Sequence, residues 1–419
     1  MTADLSVPPH WRCGNIRRFA QMKTGHTPSR SVTEYWEGAD VPWFTLADVW
    51  QLRDGKQVYL GETANKISEL GLANSAAELL PTGTVVLSRT ASVGFSGIMP
   101  KPMATSQDFW NWVCGPDLMP QYLNYQFMTM RSVLKALNLG STHQTIYQKD
   151  AAGLQILVPP IDEQCAIVDY LDCETAQIDS LIAKQEQLIA ALRERRATVV
   201  DDALEPTEHC ATMPLKFALE GVDQGVSPQA EAGLAEEPGT WGVLKSGAVN
   251  HGVFRQEEHK RLPAGFGFDT KIAVAVGDVI VSRASGSPDL VGSCGLIEQL
   301  DYNLILSDKL FRLRTAATTD PKFLRWLLNG RRYRTQVRQS ISGAEGLANN
   351  LPLRALLSFR FAMPPLDEQR GIAAYLDEQT AKIDALITKA ERFIELSKER
   401  RAALITAAVT GQIDVRASA

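Results

Sequence analysis

The side chains best suited to chemistry in this sequence are of the kind that hold and read another molecule. "KTGHTPSRS" (23–31) sets Lys23 and Arg30 among the hydroxyls of Thr24 and Thr27 around a proline turn. "GSTHQT" (140–145) packs Ser141, Thr142, His143 and Gln144 behind one glycine. Gln144 has the amide that pairs bidentately with adenine, and Arg89 and Arg283, each following an alternating apolar run, have the fork that pairs with guanine. "RWLLNGRRYRTQVRQS" (325–340) holds five arginines and no acid, with Trp326 and Tyr333 interleaved. Phosphate contact by Arg331, Arg332, Arg334 and Arg338 is the physical expectation for such a stripe. Each reading has a plainer alternative. The loops can be solvated turns, the arginines partners of acids, and the stripe a helix surface facing an acidic coiled coil.

Catalytic constellations are missing. The chain has no G-x-x-x-x-G-K-[ST] phosphate loop, no Gly-rich dinucleotide fingerprint after a strand, no H-E-x-x-H helix and no Gly-x-Ser-x-Gly elbow. It also lacks the Asn-Pro-Pro-aromatic tetrapeptide with which an adenine amino-methylase holds a flipped base. The six cysteines form no C-x-x-C pair, which points to isolated reduced thiols.

The elements that must position these residues are written twice. "PPIDEQCAIVDYLD" at Pro159 and "PPLDEQRGIAAYLD" at Pro364 open two copies that align without a gap to Val200 and Ile405, at an offset of 205 and with about half the positions identical. Each copy predicts a helix: Pro-Pro fixes an extended entry, Asp162 and Asp367 can cap, and the acids that follow suit the positive end of the dipole. Leu171, Ile178, Gln185 and Leu192 lie seven apart, with Leu181 and Leu188 assigned to the alternate seam. The second copy repeats this with Leu376, Ile383 and Ala390, and with Leu386 and Phe393. The basic runs "RERR" (193–196) and "KERR" (398–401) are expected at the helix ends. A helix of about 38 residues is roughly 57 Å long, and its cheapest partner is the other copy, packed antiparallel with a domain at either end.

The segments before each copy echo one another more faintly. "TGHTPSR" (24–30) lines up with "QGVSPQA" (224–230), and "GTVVLSRTASVG" (83–94) with "GDVIVSRASGSPDLVG" (277–292). Strands around Val85–Leu87 and Val279–Val281, with helices starting at "YLNYQFM" and "FLRWLLN", make each segment α+β. The net charge of −5 hides an uneven distribution. Residues 159–203 carry 10 acids and 4 bases, whereas 1–158 have 13 bases against 12 acids and 204–363 have 18 against 17. The acidity belongs mainly to the first helix, so the total does not exclude a nucleic-acid partner. With no run of about 20 apolar residues and no signal-peptide pattern, a cytoplasmic location and no membrane partner are expected.

Taken in order, "KTGHTPSRSVTEYWEGADVPWFTLADV", the two Pro-Pro helices and the closing "ITAAVTGQIDV" resemble a specificity subunit of a type I restriction-modification system, over nearly the whole chain. The resemblance implies two target-recognition domains (1–158 and 204–363), two long antiparallel coiled-coil helices (159–203 and 364–410) and a tail (411–419). It implies a double-stranded, bipartite DNA site, two methyltransferase subunits and the ATP-driven restriction subunits as partners. The chain itself would be non-catalytic and bind no cofactor; S-adenosylmethionine, ATP and Mg2+ would belong to those partners. By the same resemblance the Thr27–Arg30 turn, Ser88-Arg89 and the Gly140–Thr145 loop approach DNA. The second domain departs from that pattern, and its contacts are expected around Arg283, Ser340 and Ser342. Two rival classes stand beside this one: a coiled-coil adaptor with no DNA role, and a standalone endonuclease.

Overall fold

The computed structural model describes residues 7–136, 145–205, 212–341 and 349–418. It separates into two compact units, Met1–Glu186 with Glu391–Ala419, and Gln187–Ala390. Each unit therefore contains one α+β domain together with a segment of each long helix.

In the first unit the strands are β1 (Arg12–Asn15), β2 (Ala20–Thr24), β3 (Val41–Phe44), β4 (Asn65–Ile67), β5 (Val85–Ser88), β6 (Ser96–Ile98), β7 (Ala104–Thr105), β8 (Phe109–Cys114) and β9 (Gln155–Val158). The helices are α1 (Glu69–Ala73), α2 (Pro120–Thr129), α3 (Arg131–Ala136) and α4 (Gln148–Ala152), followed by the start of α5 (Ile161–Ala203). Three sheets form, ordered β2-β8-β5-β6, β4-β3-β7 and β1-β9. All of their pairs are antiparallel except β3–β7.

The second unit repeats this plan. Its strands are β10 (Thr212–Pro214), β11 (Leu219–Gln224), β12 (Trp241–Leu244), β13 (His259–Arg261), β14 (Val279–Ser282), β15 (Ala284–Ser285), β16 (Cys294–Leu296), β17 (Asn303–Ile305), β18 (Leu310–Thr315), β19 (Asn349–Asn350) and β20 (Arg360–Ala362). Its helices are α6 (Pro321–Leu327), α7 (Arg331–Ser340), α8 (Leu353–Ser358) and α9 (Leu366–Val409), the last of which ends in the first unit. The sheets are β11-β18-β14-β16, β13-β12-β17, β10-β20 and the short β15-β19, again with one parallel pair, β12–β17. The faint echo between the domains is thus a duplication of topology.

Period-two alternation explains the central strand of each four-stranded sheet. Val85 and Leu87 point into one core while Val86 points into another, and Val279 and Val281 oppose Ile280 in the same way. Strands covered on both faces read as continuous apolar runs, here "VVL" and "VIV".

The repeated helix sentence is tied to its domain residue by residue. Gln164 is fully buried; its amide accepts from Met119 N at 2.8 Å and donates to Asp117 O and Pro159 O. Gln369 does the same with Asp320 N, Thr318 O and Pro364 O. Two turns further on, Asp172 accepts from Tyr125 Oη at 2.5 Å, and its counterpart Asp377 accepts from Arg325 and from Trp326 Nε1. The Pro-Pro entry and the Asp-Glu-Gln and Tyr-Leu-Asp words therefore fix the angle at which each helix leaves its domain.

Within each unit the two helix segments pack in opposite chain directions. In the first, Ile167 and Leu171 share a core with Ile405 and Val409, and Arg401 meets Asp179. In the second, Val200 shares a core with Ala373 and Leu376, and Arg196 meets Asp384. Leu171, Ile178, Leu376 and Ile383 are buried in the seams as expected. Leu181, Leu188, Leu386 and Phe393 are not: they stand 46%, 46%, 49% and 41% exposed, while Ile182 and Ile189, each one position later, are buried. The seam steps alternately by three and four residues, and at Leu-Ile doublets the four-residue step wins. The basic runs do not end the helices either, which continue to Ala203 and Val409. Among the described residues no helix is long and apolar enough to cross a membrane.

Candidate nucleic-acid interface

In the first domain three separate segments meet beyond the end of β5. Gly25, just past β2, lies so close to the backbone of Thr105 and Ser106 that an added Cβ would collide with their carbonyl oxygens. This close approach brings the turn onto the strand, where Thr27 Oγ1 donates to Gln107 Oε1 at 2.5 Å. From the other side Arg89 Nε donates to the carbonyl of Gln107 at 2.6 Å, and its guanidinium lies 4.2 Å from the centroid of the Trp110 ring. The Arg89 backbone bonds Asp108 O and receives Ile146 N, and Thr90 bridges Thr145. Burial lowers the Arg89 pKa while the Asp108 charge opposes it; an arginine stays cationic under these conditions. A ring and a carbonyl thus hold a guanidinium in place before any ligand arrives, which limits the ordering entropy that a ligand must offset.

The second domain rebuilds this corner from different side chains. An added Cβ on Gly225 would collide with the Leu306 carbonyl, so this turn also needs its glycine. Gln224 Nε2 and an Arg283 terminal nitrogen both donate to the Asp308 carbonyl, at 2.9 and 3.1 Å. The Arg283 backbone bonds Lys309 O and receives Leu351 N, its guanidinium lies 5.9 Å from the Phe311 ring, and β15 pairs with β19. Gln107 and Asp308, Asp108 and Lys309, and Trp110 and Phe311 are therefore equivalent positions. Sequence reading passed over Gln107, Asp308 and Lys309, whose signal was their fixed distance from the aromatic under each arginine.

The other expected residues divide. Thr27, Arg89 and Thr145 converge in one corner, and Arg283 occupies the matching one. Arg30 is exposed. Lys23 is held by Glu78 at 2.7 Å, and Thr24 Oγ1 makes only a 3.4 Å contact with the carbonyl of Gly25. Ser88 is a correction: it is fully buried, donates to Ser92 O and accepts from Phe95 N, so it folds the loop instead of facing a ligand. That loop contains Ala91 at φ +57°, a left-handed conformation that costs a residue with a side chain about 1 kcal/mol or more. Ser141, Thr142, His143, Gln144 and Ser342 lie outside the described residues, and Ser340, at the end of α7, is half-buried.

The arginines of the stripe have partners within the fold. Arg331 pairs with Asp201 at 3.0 Å and Arg332 with Glu205 at 2.7 Å, both acids belonging to the end of the first long helix and its exit. Arg338 pairs with Asp289, and Arg334 donates to the carbonyls of Val291 and Asp289, closing the 288–291 loop. Trp326 and Tyr333 are buried and offer no stacking surface. An acid-free run of arginines met acids that are distant in sequence, and the stripe anchors a helix.

Residues 8–191 match the family model described as the type I restriction modification DNA specificity domain. The chain is 29% identical over 171 residues to the type I restriction enzyme MjaIX specificity subunit of Methanocaldococcus jannaschii, covering 40% of this chain and 39% of that protein. It is 25% identical over 275 residues to the type I restriction enzyme EcoKI specificity subunit of Escherichia coli K12, covering 61% of this chain and 57% of that one. In both cases the match takes in less than two thirds of the relative's length. The fold is similar to a chain in a structure of the type I R-M system determined for its complex assembly and conformational transition, with a TM-score of 0.76, 16% identity and coverage of 97% of this chain and 100% of the other. Residues 8–191 are thus similar to a type I restriction modification DNA specificity domain, the second half repeats their topology, and the fold along the chain is similar to that of the solved one.

Proposed function

We propose that this chain reads a bipartite double-stranded DNA sequence, one half per domain, and carries the methyltransferase and restriction subunits to it. The observation that carries the reading is the duplicated corner, in which Arg89 and Arg283 are held by equivalent carbonyls over equivalent rings. A preset guanidinium presents the fork that recognises guanine, and the hydroxyls and amides around it can hydrogen-bond further base edges. The equivalent positions differ in side chain, as they must if the two domains read different half-sites. Linking two modest readers through one chain multiplies affinity by effective concentration, with no contact added.

The solvent-facing Leu181, Leu188, Leu386 and Phe393 recur at matching positions of the two helices, which supports one docking face per helix and so two methyltransferase subunits. Adenine methylation and ATP-driven cleavage, with S-adenosylmethionine, ATP and Mg2+, belong in this reading to the partner subunits.

The test is co-expression with the neighbouring methyltransferase gene in a methylation-free host, followed by single-molecule sequencing of modified adenines. A split motif with one modified adenine in each half is the expected result. A stable complex that leaves the DNA unmethylated would make the chain an assembly adaptor, and cleavage of plasmid by the pure chain with magnesium would make it an endonuclease.

A further inference from the structure

The corners match between the domains, but the charge around them does not. In the first domain a cleft of about 710 Å3 opens along the four-stranded sheet, before the Gly25 turn, and holds Arg17, Arg18 and Lys23 beside Trp110 and Gln148. None of its lining residues is acidic. Arg17 and Arg18 are exposed and make no ion pair among the described residues; Lys23 bonds Glu78.

The same face of the second domain is less cationic. The buried Ile16 and Leu215 are equivalent, since each bonds back to the segment before its long helix, so Arg17 and Arg18 correspond to Lys216 and Phe217. Lys23 corresponds to Asp223 through the sheet register, which pairs Lys23 with Asn111 and Asp223 with Arg312. Three cations become one cation, one aromatic and one acid, while Val113 becomes Arg314, so a sum of +3 falls to +1. Asp223 is moreover occupied by Arg312 at 2.7 Å and Arg314 at 3.4 Å.

Beyond the turn the pattern reverses. In the second domain a cleft of about 320 Å3 lies along the three-stranded sheet and holds Lys245, Lys260 and Lys309 with Ser227 and Asp308, a sum of +2. Lys260 and Lys309 make no ion pair among the described residues, and Lys245 reaches Glu258 at 3.4 Å. The first-domain equivalents are Thr45, at the same helix cap; Asn65, at the same sheet register; and Asp108 and Gln107, at the same corner. Their sum is −1.

We infer that the two domains grip the DNA backbone from different flanks of the corner: the first through Arg17 and Arg18, in the turn that leads into β2 of its four-stranded sheet, the second through Lys260 on β13 of its three-stranded sheet and Lys309 at the corner itself. This rests on the DNA reading above and deepens it, for the arginine stripe that sequence alone offers as the phosphate contact is occupied. A duplicated reading corner with the cationic flank switched makes the phosphate contacts of the two half-sites unlike, even though the base-reading corners are alike.

Phosphate contacts are independent of sequence, so the probe is a random-sequence duplex, bound by the full chain at several salt concentrations and followed by fluorescence anisotropy. Each lost contact lowers the slope of log K against log salt by about 0.9. Arg17→Ala/Arg18→Ala and Lys260→Ala/Lys309→Ala are each expected to lower it by about 1.8, with unchanged melting temperatures because all four residues are exposed. Lys216→Ala, at the position equivalent to Arg17, is expected to leave the slope unchanged. Native-like slopes in both double variants would overturn the inference, as would a loss of about 0.9 in Lys216→Ala. A native chain that binds the duplex without salt dependence would overturn the DNA reading itself, and this inference with it.

Discussion

Arg401 on α9 bonds Asp179 on α5 at 3.2 Å, and the same pair recurs 205 residues away with the helices exchanged, as Arg196 on α5 with Asp384 on α9 at 2.9 Å. One Asp and one Arg in each copy of the repeated sentence thus serve both helix contacts, which is what an internally duplicated antiparallel pair requires. The environments nevertheless differ. Arg401 is 15% exposed and also donates to Gly55 O at 2.9 Å, whereas Arg196 is 37% exposed. Arg401→Ala leaves a half-buried carboxylate and a carbonyl without their donor, and is expected to cost about 2 kcal/mol in urea unfolding. Arg196→Ala is expected to cost under about 1 kcal/mol, because an exposed pair is screened by solvent.

The doublets Leu181-Ile182 and Leu188-Ile189 separate stability from assembly. Ile182 is 1% exposed, so Ile182→Glu buries a carboxylate in an apolar seam and is expected to cost about 3 kcal/mol or more in unfolding free energy. Leu181→Glu changes an exposed position and is expected to leave the melting temperature within a degree or so of native, by the small size of surface effects. If the outer residues are the docking face, Leu181→Glu/Leu386→Glu loses methyltransferase subunits in size-exclusion chromatography while remaining folded. Full assembly of that variant would remove the docking role from these positions.

The long helices and the two α+β domains were legible in the sequence because a 42-residue repeat without gaps leaves little freedom in the pairing of its halves. The register inside the seam was not. From Ile178 both the next three- and the next four-residue step land on an apolar side chain, and only packing chooses between Leu181 and Ile182. The arginine stripe misled for a related reason. Charge in a sequence window counts only neighbours in the chain, whereas Asp201, Glu205 and Asp289 arrive from elsewhere in the fold. Arg89 and Arg283 were found because a strand ending in Ser-Arg recurs in both domains. Gln107 and Asp308 were missed because the atom they offer to the arginine is a backbone carbonyl, which any residue supplies.

Burial sets thiol reactivity apart within one domain and between domains. Desolvation pushes both Cys114 and Cys294 up to about 12, while Cys13 and Cys173 are exposed. Since the thiolate is the nucleophile, iodoacetamide at pH 8 followed by peptide mass spectrometry is expected to label Cys13 and Cys173 and to spare Cys114 and Cys294 until the chain unfolds. The same shift has a sign for stability. Above about pH 8.5 the unfolded thiols release protons that the folded ones keep, so these two groups make the fold less stable as pH rises from there towards 12.

Gly25 and Gly225 each hold a turn against the corner proposed to read DNA. Neither has a positive φ, so the need for glycine comes from contact alone: a Cβ would meet the Thr105 and Ser106 carbonyls in one case and the Leu306 carbonyl in the other. Backbone oxygen in a strand cannot move aside as a flexible side chain can, so Gly25→Ala must lift the 24–30 turn off β7 and part Thr27 from Gln107. An overpacked contact of this kind costs about 1–3 kcal/mol, which a domain with its core intact survives. Gly25→Ala is therefore expected to keep both domains folded and to degrade recognition of one half-site only, and Gly225→Ala to degrade the other. Methylation mapping of each variant beside the native chain reads this directly: relaxed bases should fall in a single half of the motif, on opposite halves for the two variants. Relaxation of both halves by either substitution would mean that the turns act on the whole complex and not on one reader each.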